Sequence, residues 1–104
     1  MILGMSLPFV TLRLADGAEN AFAIAIKDNS GDPVNMAGYT VNLKIMSGST
    51  VLHTFVGSIV GTNVVAWTIS SGDALASYIG KTLRFDVVKD GNTYLWGKGK
   101  VVSA

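Results

Sequence analysis

The chain has 104 residues and a formal net charge of +1, and only 14% of its residues are charged, against about 25% in ordinary soluble domains. The length allows one domain. The absence of cysteine excludes disulfide and thiolate metal sites, and the near-neutral charge excludes long-range attraction to nucleic acid or an anionic membrane. Because a small domain has much surface for its volume, the shortage of charge predicts that part of the surface is covered in an assembly.

The first eight residues form an apolar segment before the first predicted strand. This segment lacks the basic residues of a secretory signal and is far shorter than the roughly 18 apolar residues of a membrane span, so we expect neither a signal peptide nor membrane attachment. We expect residues 1–8 to form an arm and residues 9–104 a single domain. The arm either covers an edge of the domain's own sheet or contacts another protein. Its candidate contact residues are Ile2, Leu3, Met5 and Leu7.

Alternation of apolar residues with a period of two dominates the domain and predicts β-strands. Seven segments follow this pattern, namely 9–14, 21–27, 39–46, 50–60, 64–69, 83–88 and 93–102. Gly57 lies inside one of them and predicts a bulge, and Asp90-Gly91-Asn92 predicts a hairpin. Seven short strands at regular spacing predict an all-β fold, an antiparallel immunoglobulin-like β-sandwich without the cysteine pair of antibody domains.

One segment between the strands has helical rather than strand character. Ser70 and Asp73 have the spacing of a capping box, and Leu75 and Ile79 follow at helical spacing before Gly80. This arrangement is typical of a helix that starts at a polar cap and ends at glycine. We therefore expect one short helix or helical turn at residues 71–78, which connects two strands.

The segment 21–27 has one face of large side chains and one of small side chains. A strand there places Phe22, Ile24 and Ile26 on the inner face, and the opposite face carries Ala21, Ala23 and Ala25. The alanine face is neither polar nor bulky, so it suits close approach by another backbone, either the arm or a neighbouring subunit. These three alanines are candidate protein-contact residues.

The sequence predicts no catalytic, cofactor-binding or metal-binding residue. Asp28, Ser30 and Asp32 have the first spacings of a calcium loop, but Pro33 stands where that loop needs glycine, which favours a solvated turn. His53 is the one histidine and has no second candidate ligand near it in the sequence. We therefore expect a protein that is not an enzyme and needs no cofactor.

Aromatic residues of the last predicted strand leave two interpretations open. Tyr94 and Trp96 are candidates for a glycan-contact platform, because a flat ring covers the apolar face of a sugar. In the other interpretation Trp67 is the core tryptophan of the sandwich and Trp96 belongs to the packing face of its strand. Glycan binding requires that Tyr94 or Trp96 be exposed.

Two stretches resemble a known family. Residues 27–45, KDNSGDPVNMAGYTVNLKI, resemble a pattern of a charged turn, Gly-x-Pro-Val and a Leu-Thr-Gly-Tyr-like opening of a strand, from which Met36-Ala37 departs. Residues 64–102 resemble the rest of this pattern, a Trp-containing strand, a short Ser/Asp-rich helix, a Lys-Asp-Gly turn and a Gly-Lys-Val-like end. The pattern is that of small immunoglobulin-like β-sandwich domains in tailed bacteriophages, which include the N-terminal domain of baseplate upper proteins.

This resemblance implies a structural or accessory protein of the virion, located in particles that assemble in the host cytoplasm. Its role would be capsid decoration or that of a tail, baseplate or fibre adaptor. The implied partners are other virion proteins of the capsid, tail or fibre, with the domain oligomeric in the assembly and with neither nucleic acid nor membrane bound. A carbohydrate-binding adhesion module is the alternative function.

Overall fold

Strands account for most of the structure, a computed structural model that describes residues 9–28 and 30–104. These ranges contain eight strands and one short 3-10 helix, Ala76–Tyr78. The strands are β1 (Val10–Leu14), β2 (Asn20–Ala25), β3 (Thr40–Ser47), β4 (Thr50–Val56), β5 (Ser58–Val60), β6 (Val64–Ile69), β7 (Thr82–Lys89) and β8 (Asn92–Ser103). The helical segment is shorter than the predicted 71–78, because a turn joins Ser70 to Asp73 ahead of it.

Two sheets form the sandwich. The large sheet has the strand order β1-β8-β7-β3-β4, and the small sheet has the order β2-β6-β5. The predicted all-β sandwich is confirmed, and every pairing is antiparallel except that of β1 with β8, which is parallel. Gly99 permits that pairing, because a Cβ atom there would overlap the carbonyl oxygen of Val10.

The core lies between the sheets and is centred on Trp67. The Trp67 ring stacks on Phe22 of its own sheet at 5.2 Å and meets the ring of Phe85, across the sandwich, edge-on at 5.5 Å. Aromatic pairs of this geometry add stability beyond the area that they bury. The interpretation of Trp67 as the core tryptophan is confirmed. The other large side chains at the centre include Trp96, Leu14, Ile26, Met36, Leu43, Ile45, Ile69 and Leu83.

Gly57 divides the predicted segment 50–60 into two strands in different sheets. The chain leaves the large sheet after β4 and enters the small sheet at β5, and the Gly57 amide donates a hydrogen bond to the Val41 carbonyl at 2.8 Å. A Cβ atom on Gly57 would lie 2.7 Å from Val65 Cγ1 and 2.9 Å from the Val41 oxygen. The prediction of a bulge at Gly57 was wrong, since the glycine marks a strand that changes sheet.

The β7–β8 hairpin confirms the turn predicted at Asp90-Gly91-Asn92. Lys89 and Asn92 are paired, and the two residues between them, Asp90 and Gly91, have φ angles of 52° and 78°. Positive φ at both central positions is the requirement of a type I′ turn, whose twist matches that of the flanking strands. This hairpin brings β7 and β8 into register and so aligns the charged side chains of the two strands.

Candidate contact surfaces

The predicted alanine face lies on the outside of the small sheet. Ala21, Ala23 and Ala25 are exposed and alternate along β2 with the inward side chains of Phe22 and Ile24. They are in register with Thr68, Ala66 and Val64 of β6, and Ser58 and Val60 of β5 complete the rows. We call these eight residues the uncharged face, because none of them carries a charge or a long polar side chain.

The adjoining strands β4 and β5 extend this uncharged character to the edges of both sheets. Of the seven large apolar side chains that are exposed in the described ranges, four lie on β4 and β5, and each is 40–66% exposed. These four are Val51, Leu52, Val56 and Val60. The sequence has no Asp, Glu, Lys or Arg between Lys44 and Asp73. Edge strands usually carry charges or proline that discourage pairing with other chains, so this border is suited to contact with another protein.

The outside of the large sheet has the opposite character. Arg13, Lys44, Arg84, Lys98 and Lys100 point outward from four strands, because each alternates with core residues or with the buried glycines of β8. Register aligns them across the sheet, with Lys44 opposite Arg84 and Arg84 opposite Lys98. We call these five residues the basic face.

One carboxylate lies within the basic face and is fully buried. Asp86 Oδ1 accepts a hydrogen bond from Arg84 Nε at 2.8 Å. Asp86 Oδ2 forms an ion pair with Lys44 Nζ at 2.8 Å, but the two atoms do not have hydrogen-bond geometry. The side chain of Asp86 has no exposed surface, whereas those of Lys44 and Arg84 are 25% and 43% exposed. A buried carboxylate without such partners would be strongly destabilising. The two cations therefore stabilise it and are in turn held in place.

The sequence prediction did not identify the basic face as a contact surface, because Arg13 and Lys44 are distant in the sequence from its three other residues. Alternation alone places Arg84 and Asp86 on one side of β7, and Lys98 and Lys100 on one side of β8. Lys44 comes from β3, far away in the sequence, and only the β3–β7 register brings it to Asp86. The alternation within each strand was thus predictable from the sequence, but the ion pairs of the two cations with Asp86 were not.

The glycan-contact candidates do not form an exposed platform. Trp96 is 1% exposed and belongs to the core, and Tyr94 is half-buried. The pairing register of β7 with β8 shifts between Phe85 and Asp86, so β8 has one residue at this point that has no pairing partner in β7. Trp96 and the next residue, Gly97, are both buried there. The exposure that glycan stacking requires is therefore lacking at Trp96.

The candidate contact residues of the N-terminal arm are outside the part of the chain that the structure describes. These are Ile2, Leu3, Met5 and Leu7.

The residues that the sequence analysis weighed as ligands have structural contacts instead. Asp28 Oδ1 accepts hydrogen bonds from the amides of Ser30 and Asp32, which closes the turn between β2 and β3. The His53 ring lies 4.2 Å from the ring of Phe55. In residues 9–28 and 30–104, no group of three His, Cys, Asp or Glu side chains could hold a metal ion, and no helix is long and apolar enough to cross a membrane.

Comparison with known proteins identifies the fold. No protein-family model and no curated protein sequence matches the chain. Among solved structures, the N-terminal domain of phage TP901-1 ORF48 is similar, with a TM-score of 0.58 and 19% identity over 92% of this chain and 86% of that one. An uncharacterized protein from Bacillus anthracis str. Ames has a TM-score of 0.47 and 15% identity over 97% of this chain and 80% of that one. The chain therefore has the fold of the phage domain.

Proposed function

We propose that this protein is a non-enzymatic structural or accessory protein of a bacteriophage virion, which docks onto the particle through its uncharged face. The observation that carries the proposal is that face, whose rows on β2, β6 and β5 hold eight residues without a charge or a long polar side chain. Its small side chains let another backbone approach closely, and burying apolar surface without charged groups costs little desolvation. The fold shared with a domain of a phage protein supports the same assignment.

The chemistry of the surface favours a docking role over catalysis or sugar binding. The described residues form two extended surfaces of different chemistry, the uncharged face and the basic face. The buried ring of Trp96 weighs against the carbohydrate-binding alternative. Many copies on a symmetric particle bind firmly even when each contact is weak, because neighbouring contacts reinforce one another.

The direct test is the copy number of the protein in purified phage particles, measured by quantitative mass spectrometry relative to the major capsid protein. A fixed ratio close to that of the capsid protein identifies a decoration protein, and a few copies per particle identify a tail, baseplate or fibre adaptor. Absence of the protein from particles would overturn the proposal.

A charge placed at the centre of the uncharged face tests the surface itself. Ala23→Glu puts a carboxylate opposite Ala66, where docking would bury it without a partner. We expect about tenfold less protein in particles, since such a burial costs more than about 1.4 kcal/mol. Ala18→Glu is the matched control, because Ala18 is an exposed alanine in the β1–β2 connection away from the face. Equal incorporation of both variants, with thermal unfolding unchanged, would show that docking uses another surface.

A further inference from the structure

We propose that the basic face is a second docking surface, whose partner is an acidic surface of another protein. This inference rests on the proposed function, because it adds a partner on the side of the sandwich opposite to the uncharged face. In this arrangement the domain lies between two neighbours of different chemistry, one apolar and one acidic.

Charge is strongly segregated in the molecule. Five of the eight basic residues lie on the basic face, whereas Asp86 is the only one of the seven acidic residues that lies there. The other six acidic residues lie in the connections between strands, and these are Asp16, Glu19, Asp28, Asp32, Asp73 and Asp90. The net charge of +1 therefore conceals a face with a surplus of four positive charges, which attracts an acidic surface and repels a second copy of itself.

The basic face contains two kinds of cation. Lys44 and Arg84 form the only ion pairs among the described residues, both with the buried Asp86. Lys98 and Lys100 are exposed, alternate along β8 and take part in no ion pair with the described carboxylates, which include all seven of the chain. A partner's carboxylates would meet Lys98 and Lys100 directly, whereas the held guanidinium of Arg84 retains free N–H groups beside them.

A groove lined in part by Lys98 adds an apolar component to the surface. It has a volume of about 400 Å³, and its lining includes Phe9, Met46, Thr82, Arg84 and Lys98. Of these lining residues, Phe9 is 66% exposed and Met46 is buried. An apolar pocket beside cations suits a protein partner that places an aliphatic or aromatic side chain in the groove and acidic side chains around it.

The same features favour protein over nucleic acid. Leu95 is exposed and lies opposite Asp86 in the register, and Val56 is exposed opposite Asn42 in the same row. These aliphatic side chains border the cations, where phosphate-binding surfaces need further hydrogen-bond donors or stacking rings. Apolar side chains among arginine and lysine are typical of a protein–protein interface.

The test replaces the two exposed lysines. The double variant Lys98→Glu/Lys100→Glu reverses the charge of the proposed contact and leaves the three residues of the Asp86 ion pairs unchanged. The matched control, Lys27→Glu/Lys81→Glu, makes the same change in net charge at two lysines outside the basic face. Each protein is first checked for unchanged thermal unfolding, and its copy number in phage particles is then compared with that of the wild type. We expect about tenfold less of the first variant in particles and wild-type levels of the control.

The outcomes separate this inference from the proposed function. Wild-type levels of both variants would overturn the acidic partner and leave the virion role standing, and equal losses would mean that only net charge matters, which also overturns it. If the wild type itself is absent from particles, the proposed function fails, and NMR titration of the isolated protein decides the chemistry of the face. Shifts of β7 and β8 amides with a Glu- and Leu-containing peptide support the inference, whereas shifts only with duplex DNA, or with neither probe, overturn it.

Discussion

The two outer faces of this sandwich are built from the same strand pattern and yet differ in almost every property. On the small sheet, the outward positions of β2, β6 and β5 hold alanine, valine, serine and threonine. On the large sheet, the outward positions hold five basic side chains around one buried carboxylate. The low content of charge in the chain is therefore not spread evenly, since one face carries nearly none of it and the other carries most of the positive charge.

This contrast shows that a face can be adapted for contact in two ways. The uncharged face needs no internal organisation, because its side chains are short and make few contacts with one another. The basic face needs a buried carboxylate to keep like charges close together, since Asp86 offsets the repulsion between Lys44 and Arg84. Substitutions of Lys44, Arg84 or Asp86 should consequently affect the fold, whereas those of the exposed lysines of β8 or of the uncharged face should affect only association.

The largest effect on stability is expected when Asp86 loses both of its cations. The double variant Lys44→Met/Arg84→Met leaves a buried carboxylate without a partner and should lower the free energy of unfolding by about 3–5 kcal/mol. Urea denaturation followed by tryptophan fluorescence measures this. Adding Asp86→Leu removes the buried charge as well and should restore most of the loss, because an apolar replacement of a whole ionic network is often neutral or stabilising. A double variant as stable as the wild type would contradict the role of the two cations.

A smaller effect is expected at Gly57, on the border between the two sheets. Gly57→Ala places a Cβ atom 2.7 Å from Val65 and 2.9 Å from the Val41 oxygen, so the strand crossing must shift. We expect a loss of about 1–3 kcal/mol in the free energy of unfolding. Gly72→Ala is the matched control, because nothing lies within 4 Å of its Cβ position. If both variants have the same melting temperature, the crossing does not depend on the missing side chain.

The smallest effect on stability is expected on the uncharged face. Ala23→Thr adds two heavy atoms at an exposed strand position, where threonine is well tolerated, and should change the free energy of unfolding by no more than about 0.5 kcal/mol. Its incorporation into particles should nevertheless fall, because the added atoms prevent close approach. Thermal unfolding and particle mass spectrometry measure the two effects. A clear loss of stability in the isolated protein would instead indicate that this face packs against the chain itself.

Local pattern was sufficient to predict most of the strands and one of the two faces. Alternation in residues 21–27 separates Phe22 and Ile24 from Ala21 and Ala23 whatever strand lies beside them, and the structure keeps that separation. The hairpin at Asp90-Gly91 was predictable for the same reason, since its positive φ angles follow from the preferences of two adjacent residues. Burial of Trp96 was one of the two interpretations that the sequence left open, and local pattern could not decide between them, because the register irregularity beside Trp96 depends on the pairing with β7.

What the sequence by itself determined, then, is a β protein with a period of two, defined turns and an alanine face, all of which depend on neighbours within a few residues. The tertiary structure alone decided which strands are adjacent. Close packing at Gly57 moves the chain from one sheet to the other, and Gly99 admits β1 as a parallel edge. The same long-range pairing carries Lys44 to Asp86. Such contacts can join residues at any separation in the sequence, because strand pairing depends on backbone hydrogen bonds that any two strands can form.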